Sequence, residues 1–77
     1  MQVADLAAND EKLRNWFTYH APTEEQKKSY EAIRNAAYSL GGIIMRETPA
    51  GADQTAALRK LREAVMTANQ SIACGGK

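Results

Sequence analysis

Cysteine and histidine are scarce in this sequence, whose 77 residues include one cysteine, Cys74, and one histidine, His20. A lone cysteine excludes a disulfide within the chain, and one Cys with one His falls short of a structural zinc site, so we expect no metal. A chain of this length buries little apolar surface alone and usually relies on a disulfide, a metal or partner chains. We therefore expect a single domain over residues 1–77 that self-associates.

Long apolar runs and strong net charge are also missing. The most apolar stretch, residues 40–45, is far too short to span a bilayer, and the first residues lack the basic start of a signal peptide. The formal net charge is +1, which argues against a general coat for duplex nucleic acid. These absences favour a cytoplasmic protein without a membrane partner and leave room for a small anionic ligand.

Patterns typical of catalysis are absent as well. The three serines, Ser29, Ser39 and Ser71, have no acid–base partner at a recognisable spacing. No glycine-rich phosphate loop of the Walker or Rossmann kind is present. We predict that the chain is not an enzyme and needs no cofactor.

What the sequence does contain is helical periodicity. Thr23 and Gln26 form a capping-box pattern that predicts the start of a helix over about 24–46. Apolar side chains then recur at steps of three and four residues: Tyr30, Ile33, Ala37, Leu40 and Ile44. Gly41-Gly42 costs helix stability, and the pair indicates either a kink or the close approach of another backbone.

A second helix is predicted over about 54–73, after a turn over 47–53, with Asp53 as its N-cap. Its apolar positions repeat the same spacing: Leu58, Leu61, Val65, Ala68 and Ile72. Two helices with a short connection predict an antiparallel αα-hairpin in an all-α fold. Each helix also carries apolar side chains beside this row, more than the contact between two helices can bury. The excess favours burial against other copies in a symmetric homo-oligomer.

The flanking segments carry weaker patterns. The N-terminal segment, 1–22, is predicted to hold a short helical turn over 1–8, with a break at Asn9-Asp10, and to be mostly irregular over 9–22. The tail at residues 75–77 is expected to fray, and Cys74, near this frayed end, is expected to be incidental.

An aromatic stretch at residues 15–23 brings Tyr19 and His20 next to the start of the first helix at Thr23. A ring, an imidazole and unpaired helix amides suit a base and a phosphate, and Arg34 on the same helix suits bidentate phosphate contact. Other interpretations stay open. Trp16 and Phe17 are better explained as core side chains that plug the loop against the helices than as ligand contacts. His20 and Tyr19 could serve the loop alone, and Arg34 could pair with Glu31.

A second basic cluster occupies the other helix at Arg59, Lys60 and Arg62. Glu63 has the spacing to pair with Arg59 or Lys60, which leaves Arg62 as a candidate ligand contact. Asn69, seven residues further on, is a weaker candidate for reading a base edge.

Three strings together resemble a small phage protein family: NWFTYHxP over 15–22, YEAIR over 30–34 and LRKLREAVMxAN over 58–69. The resemblance, which covers about residues 14–73, is to the helical-hairpin anti-defence proteins of tailed phages, the anti-CBASS sponges. It implies hexamers of helical hairpins in the host cytoplasm that trap cyclic oligonucleotide immune messengers without degrading them.

The resemblance also implies roles for individual residues. Tyr19 would stack on a base of a cyclic dinucleotide in a pocket between protomers, and Arg34 would supply the basic contact. Arg62 and Asn69 are the candidates for a separate cyclic trinucleotide site on a three-fold axis. The alternative function is a protein-interaction module that docks its aromatic loop on a phage or host protein.

Overall fold

The computed structural model describes residues 3–77, and the surroundings of side chains from residue 5 onwards. Within this part of the chain there are three helices and no strand: α1, Val3–Phe17; α2, Glu24–Glu47; and α3, Ala52–Ala73. The all-α prediction is confirmed, and α2 and α3 pack on each other as the hairpin that the two stripes indicate. None of the helices among residues 3–77 is long and apolar enough to span a membrane.

Helix α1 corrects the prediction for the N-terminal segment. Residues 9–17, expected to be irregular, continue the helix through the expected break at Asn9-Asp10. The Arg14 Nε atom lies 2.7 Å from Asp10 Oδ2, one turn earlier. That pair is exposed and contributes only about 0.2–0.5 kcal/mol. The strong helix formers at residues 11–14 contribute more to the continuation of the helix through this segment. Residues 1 and 2 of the predicted turn lie outside the described residues.

Helix α2 begins with the predicted capping box. Thr23 Oγ1 accepts from the Gln26 backbone N–H at 3.1 Å, and the Thr23 N–H donates to Gln26 Oε1 at 3.0 Å. The helix continues through Gly41-Gly42 to Glu47, so the pair does not break it. A Cβ built at Gly41 would lie 3.6 Å from Leu61 Cδ2, an ordinary contact, and one built at Gly42 meets nothing within 4 Å. Packing within one chain therefore does not require either glycine.

We expect Gly42→Ala to stabilise the chain by about 0.5–1 kcal/mol, because alanine restricts the unfolded backbone and has the higher helix propensity. In a domain of this size 1 kcal/mol raises the thermal midpoint by roughly 4–8 °C. Thermal denaturation followed by circular dichroism measures the change. A lower midpoint would contradict the expectation and would indicate that another copy's backbone packs beside Gly42.

Helix α3 starts earlier than predicted. Its N-cap is Gly51, without a side-chain hydrogen bond, so the prediction that Asp53 caps the helix is wrong, and Asp53 lies in its first turn. The turn is instead held by Gln54, whose Nε2 donates to the carbonyls of Met45 at 3.2 Å and Thr48 at 3.1 Å. A side chain from inside α3 therefore supplies the bonds that Asp53 does not.

The end of α3 is capped by backbone hydrogen bonds from Gly75 and Gly76, which belong to the tail expected to fray. Gly75 and Gly76 have φ angles of 67° and 78°, in the left-handed region that favours glycine. The Gly76 N–H donates to Ser71 O at 2.9 Å and the Gly75 N–H to Ile72 O at 3.2 Å. These two bonds form a Schellman motif, the usual way of satisfying the last carbonyls of a helix.

One copy of the chain does not enclose a core. The radius of gyration is 17.0 Å, whereas a compact domain of this length has about 11–12 Å. Among the described side chains only Cys74 is buried, at 6 % exposure. Large apolar side chains are exposed on all three helices, among them Leu6, Leu13, Phe17, Leu40, Ile43, Met45 and Met66. This exposed surface supports the argument from chain length that the protein needs partner chains.

Candidate functional site

An open groove of about 710 Å³ runs along one face of the hairpin between α2 and α3. Most of its lining is apolar or glycine: Ala37, Gly41, Gly42, Met45, Leu58, Leu61, Val65 and Met66. The α2 members recur with helical spacing from residue 34 to residue 45, so a single face of the helix forms one wall. The volume falls in the range of about 300–1,000 Å³ typical of small-molecule sites.

Two arginines line this groove, Arg34 from α2 and Arg62 from α3. The alternative in which Arg34 pairs with Glu31 is not observed, and neither guanidinium has a carboxylate partner among the described residues. Two cations beside apolar walls favour an anionic ligand, and a guanidinium binds a phosphate through two parallel hydrogen bonds. The structure thus brings together two residues that the sequence assigned to separate sites.

Tyr38 is a groove residue that the sequence analysis missed. It follows Arg34 by one helical turn, lines the same groove and is 86 % exposed. An exposed ring beside two guanidinium groups can stack on a flat base. Its spacing of four residues from Arg34 is visible in the sequence, but Tyr38 lies outside the aromatic stretch at residues 15–23.

The aromatic loop, residues 18–23, presents one free ring. Tyr19 is 83 % exposed. His20 is half-buried, and its Nε2 donates to Asn15 O at 2.7 Å, which defines the tautomer. Thr23 Oγ1 is engaged in the capping box. Of these three candidates, Tyr19 therefore has the most accessible side chain, while His20 and Thr23 support the loop itself.

Trp16 and Phe17 differ from the predicted core plug. Phe17 is 80 % exposed and therefore does not pack in a core within its own chain. Trp16 is 40 % exposed, with Lys12 Nζ 5.5 Å from its ring centroid, and its Nε1 donates to Lys77 O at 3.1 Å. The two rings meet edge to face at 6.5 Å. Only Trp16 fulfils part of the expectation, because it fastens the end of α1 to the tail.

The candidate residues divide into two groups within one chain. Arg34 lies eleven residues after Thr23 on a continuous helix, a separation of about 16 Å at 1.5 Å per residue. Tyr19, His20 and Thr23 are not among the residues that line the groove. A single copy therefore keeps the aromatic loop apart from the two arginines.

Asn69 belongs to neither group. It lies one turn of α3 beyond the groove residue Val65, is half-buried, and its Oδ1 is buried with no hydrogen-bond partner in the described structure. A buried acceptor without a donor costs free energy, so a donor from a ligand or another copy would be favourable there. Among the residues that the structure describes, no cluster of three or more side chains could hold a metal ion.

The fold and the groove define a small helical hairpin with a cationic, apolar-walled recess. The chain belongs to the Acb2/Tad1 family, whose hairpin domain it matches over residues 9–73. The family is known in general for anti-CBASS sponge activity, in agreement with the resemblance found from the sequence. No curated protein and no solved structure matches the chain.

Proposed function

We propose that this protein sequesters cyclic di- or trinucleotide immune messengers in the host cytoplasm, as a phage anti-defence sponge, and does not degrade them. The observation that carries the proposal is the pair of unpaired guanidinium groups, Arg34 and Arg62, in one apolar-walled groove. Membership of the Acb2/Tad1 family supports the ligand class.

The chemistry of the groove suits such a ligand. A cyclic oligonucleotide joins anionic phosphates and flat bases in one compact ring. Arg34 and Arg62 would bind the phosphates, and the rings of Tyr38 and Tyr19 would stack on bases, each worth about 1–3 kcal/mol. Once another copy covers the open groove, its apolar walls would exclude water and strengthen the charged hydrogen bonds.

More than one copy would complete the site. In one copy Tyr19 does not line the groove that holds Arg34 and Arg62. We infer that Tyr19 of one copy faces the groove of another in a symmetric homo-oligomer, for which a hexamer is the proposed state. Asn69, with its buried unsatisfied Oδ1, would complete a second class of pocket suited to cyclic trinucleotides.

Titration calorimetry with a panel of cyclic di- and trinucleotides tests this proposal. We expect micromolar or tighter binding of at least one, together with recovery of the intact nucleotide after the complex is denatured. Linear dinucleotides of the same bases serve as controls and are expected to bind more weakly, because the ring pre-orders the phosphates. No heat with any cyclic nucleotide would refute sequestration, and linearised product would indicate a phosphodiesterase.

A protein-interaction module is the second candidate, favoured by the outward rings of Phe17 and Tyr19, which are 80 % and 83 % exposed. Exposed aromatic side chains of this kind are enriched at protein interfaces. Under this alternative the chain would retain a stable protein partner in a pulldown, and Arg34→Ala would leave that partner bound.

A further inference from the structure

We infer that the C-terminal end of α3 positions the aromatic loop, so that Gln70 and the tail set the place of Tyr19 for ligand binding. The inference rests on the proposed function and adds residues that touch no ligand. We call the hydrogen bonds that join residues 15–16 to residues 70–77 the tail clasp.

The tail clasp meets the aromatic loop at the carbonyl of Asn15. This oxygen accepts from His20 Nε2 at 2.7 Å, on the loop, and from Cys74 Sγ at 3.6 Å, on the tail. The Asn15 side chain makes a second hydrogen bond to the same residue of the tail, because its Nδ2 donates to Cys74 O at 3.2 Å. Cys74 is the one buried side chain among those described. The loop and the tail are therefore fixed to the same backbone unit, and the prediction that Cys74 is incidental is wrong.

Gln70 ties the tail clasp together. Its Nε2 donates to Trp16 O at 3.1 Å and to Cys74 Sγ at 3.0 Å. Trp16 in turn donates from Nε1 to Lys77 O at 3.1 Å. One amide group thus connects the end of α1 to the end of α3, immediately before the aromatic loop begins.

The other end of the aromatic loop is held by the same part of α3. Gln26, in the first turn of α2, donates from Nε2 to Ile72 O at 3.3 Å. Both ends of a six-residue loop are thereby attached to the last turn of α3, while the Tyr19 ring stays exposed. A loop that is fixed before the ligand arrives loses less entropy on binding, so loosening the clasp should weaken affinity without removing a ligand contact.

The chain contains a matched control for Gln70. Gln54 also donates twice from Nε2, to Met45 O and Thr48 O, but it fastens the turn between α2 and α3. Replacing either glutamine by methionine keeps the length of the side chain and removes its hydrogen bonds. Both variants remove two bonds, and only one of them touches the tail clasp.

We expect Gln70→Met to weaken binding of the cyclic dinucleotide that gives the strongest heat in the panel by about tenfold, on the scale of the hydrogen bonds removed. Gln54→Met should bind as the unaltered chain does. Trp16 is the only tryptophan, so its fluorescence should shift to the red in Gln70→Met and not in Gln54→Met. Both variants are measured at a temperature where circular dichroism shows them fully folded, because unfolding would also shift the emission to the red. Trp16→Phe, which removes the bond to Lys77 O, keeps an aromatic ring and leaves the bonds of Gln70 in place, should weaken binding less.

The outcomes separate this inference from the proposed function. If the unaltered chain binds no cyclic nucleotide, the proposed function fails and the inference fails with it. If the unaltered chain binds and Gln70→Met binds equally well, the inference alone is overturned. Equal weakening by Gln54→Met would also overturn it, since the effect would then follow stability and not the position of Tyr19.

Discussion

Arg34→Ala is expected to reduce affinity for a cyclic dinucleotide by about 10- to 100-fold. Hydrogen bonds to charged groups contribute about 1.5–3 kcal/mol, and 1.4 kcal/mol corresponds to a factor of ten. Arg34→Lys should give an intermediate loss, because an ammonium keeps the charge and loses the bidentate geometry. Titration calorimetry of the purified variants measures both changes.

Arg59→Ala is the matched control for this prediction. Arg59 lies on α3, is exposed, has no ion pair among the described residues and does not line the groove. Its removal changes the net charge by the same amount as Arg34→Ala. We expect affinity within about twofold of the unaltered chain at 0.15 M salt, where distant exposed charges are largely screened. A loss equal to that of Arg34→Ala would mean that overall charge, and not the groove, attracts the ligand.

Ile43→Glu is expected to dissociate the oligomer, the second large effect. Ile43 is 45 % exposed and Leu40, one turn away, is 46 % exposed on the same helix, outside the residues that line the groove. Because each side chain is already about half buried, an interface over them would gain roughly 0.7–1.4 kcal/mol from each. A buried, unpaired carboxylate would forfeit that gain and add a desolvation cost of several kcal/mol. Sedimentation velocity should show loss of the assembly and, since one copy has no enclosed core, a lower thermal midpoint.

Asn35→Glu adds the same charge at an exposed α2 position outside the groove, roughly 80° around the helix from Ile43 and further from Leu40, and should leave the assembly intact. The unaltered chain, of 8.4 kDa, should sediment as a multiple of that mass at tens of micromolar. A single 8.4 kDa species would contradict the argument from core burial, whatever ligand the protein binds.

The parts of the fold that sequence could predict are those fixed by local chemistry. The capping box of Thr23 and Gln26 lies within four residues, and the apolar stripes need only the helical period. Helix α1 was missed because Asn9 and Asp10 are typical of breaks as well as of helix surfaces. The tail clasp was missed because it joins Asn15 to Cys74, residues 59 positions apart, and no periodic pattern connects them.

For the candidate site, the sequence could predict individual residues but not how the fold groups them. Arg34 and Arg62 were selected from the sequence, but their common groove depends on how α2 and α3 are rotated about their own axes. Tyr38 could have been found from its spacing to Arg34. Which copy supplies Tyr19 to which groove is a property of the assembly, and a single chain's sequence does not encode it in any local pattern. The ligand roles of these residues remain predictions.

The tail clasp also implies an order of folding events. The turn at Gln54 closes contacts between residues nine or fewer positions apart, whereas the clasp joins groups separated by 54 to 61 positions. Closing a long loop costs more entropy than closing a short one. For the clasp this cost falls once α2 and α3 have packed on each other, because the chain between the joined groups is then already ordered. We therefore expect the α2–α3 hairpin to form from its turn outwards and the aromatic loop to take its final shape last. The end of the molecule that carries the tail clasp is then expected to be the last to fold and the first to open.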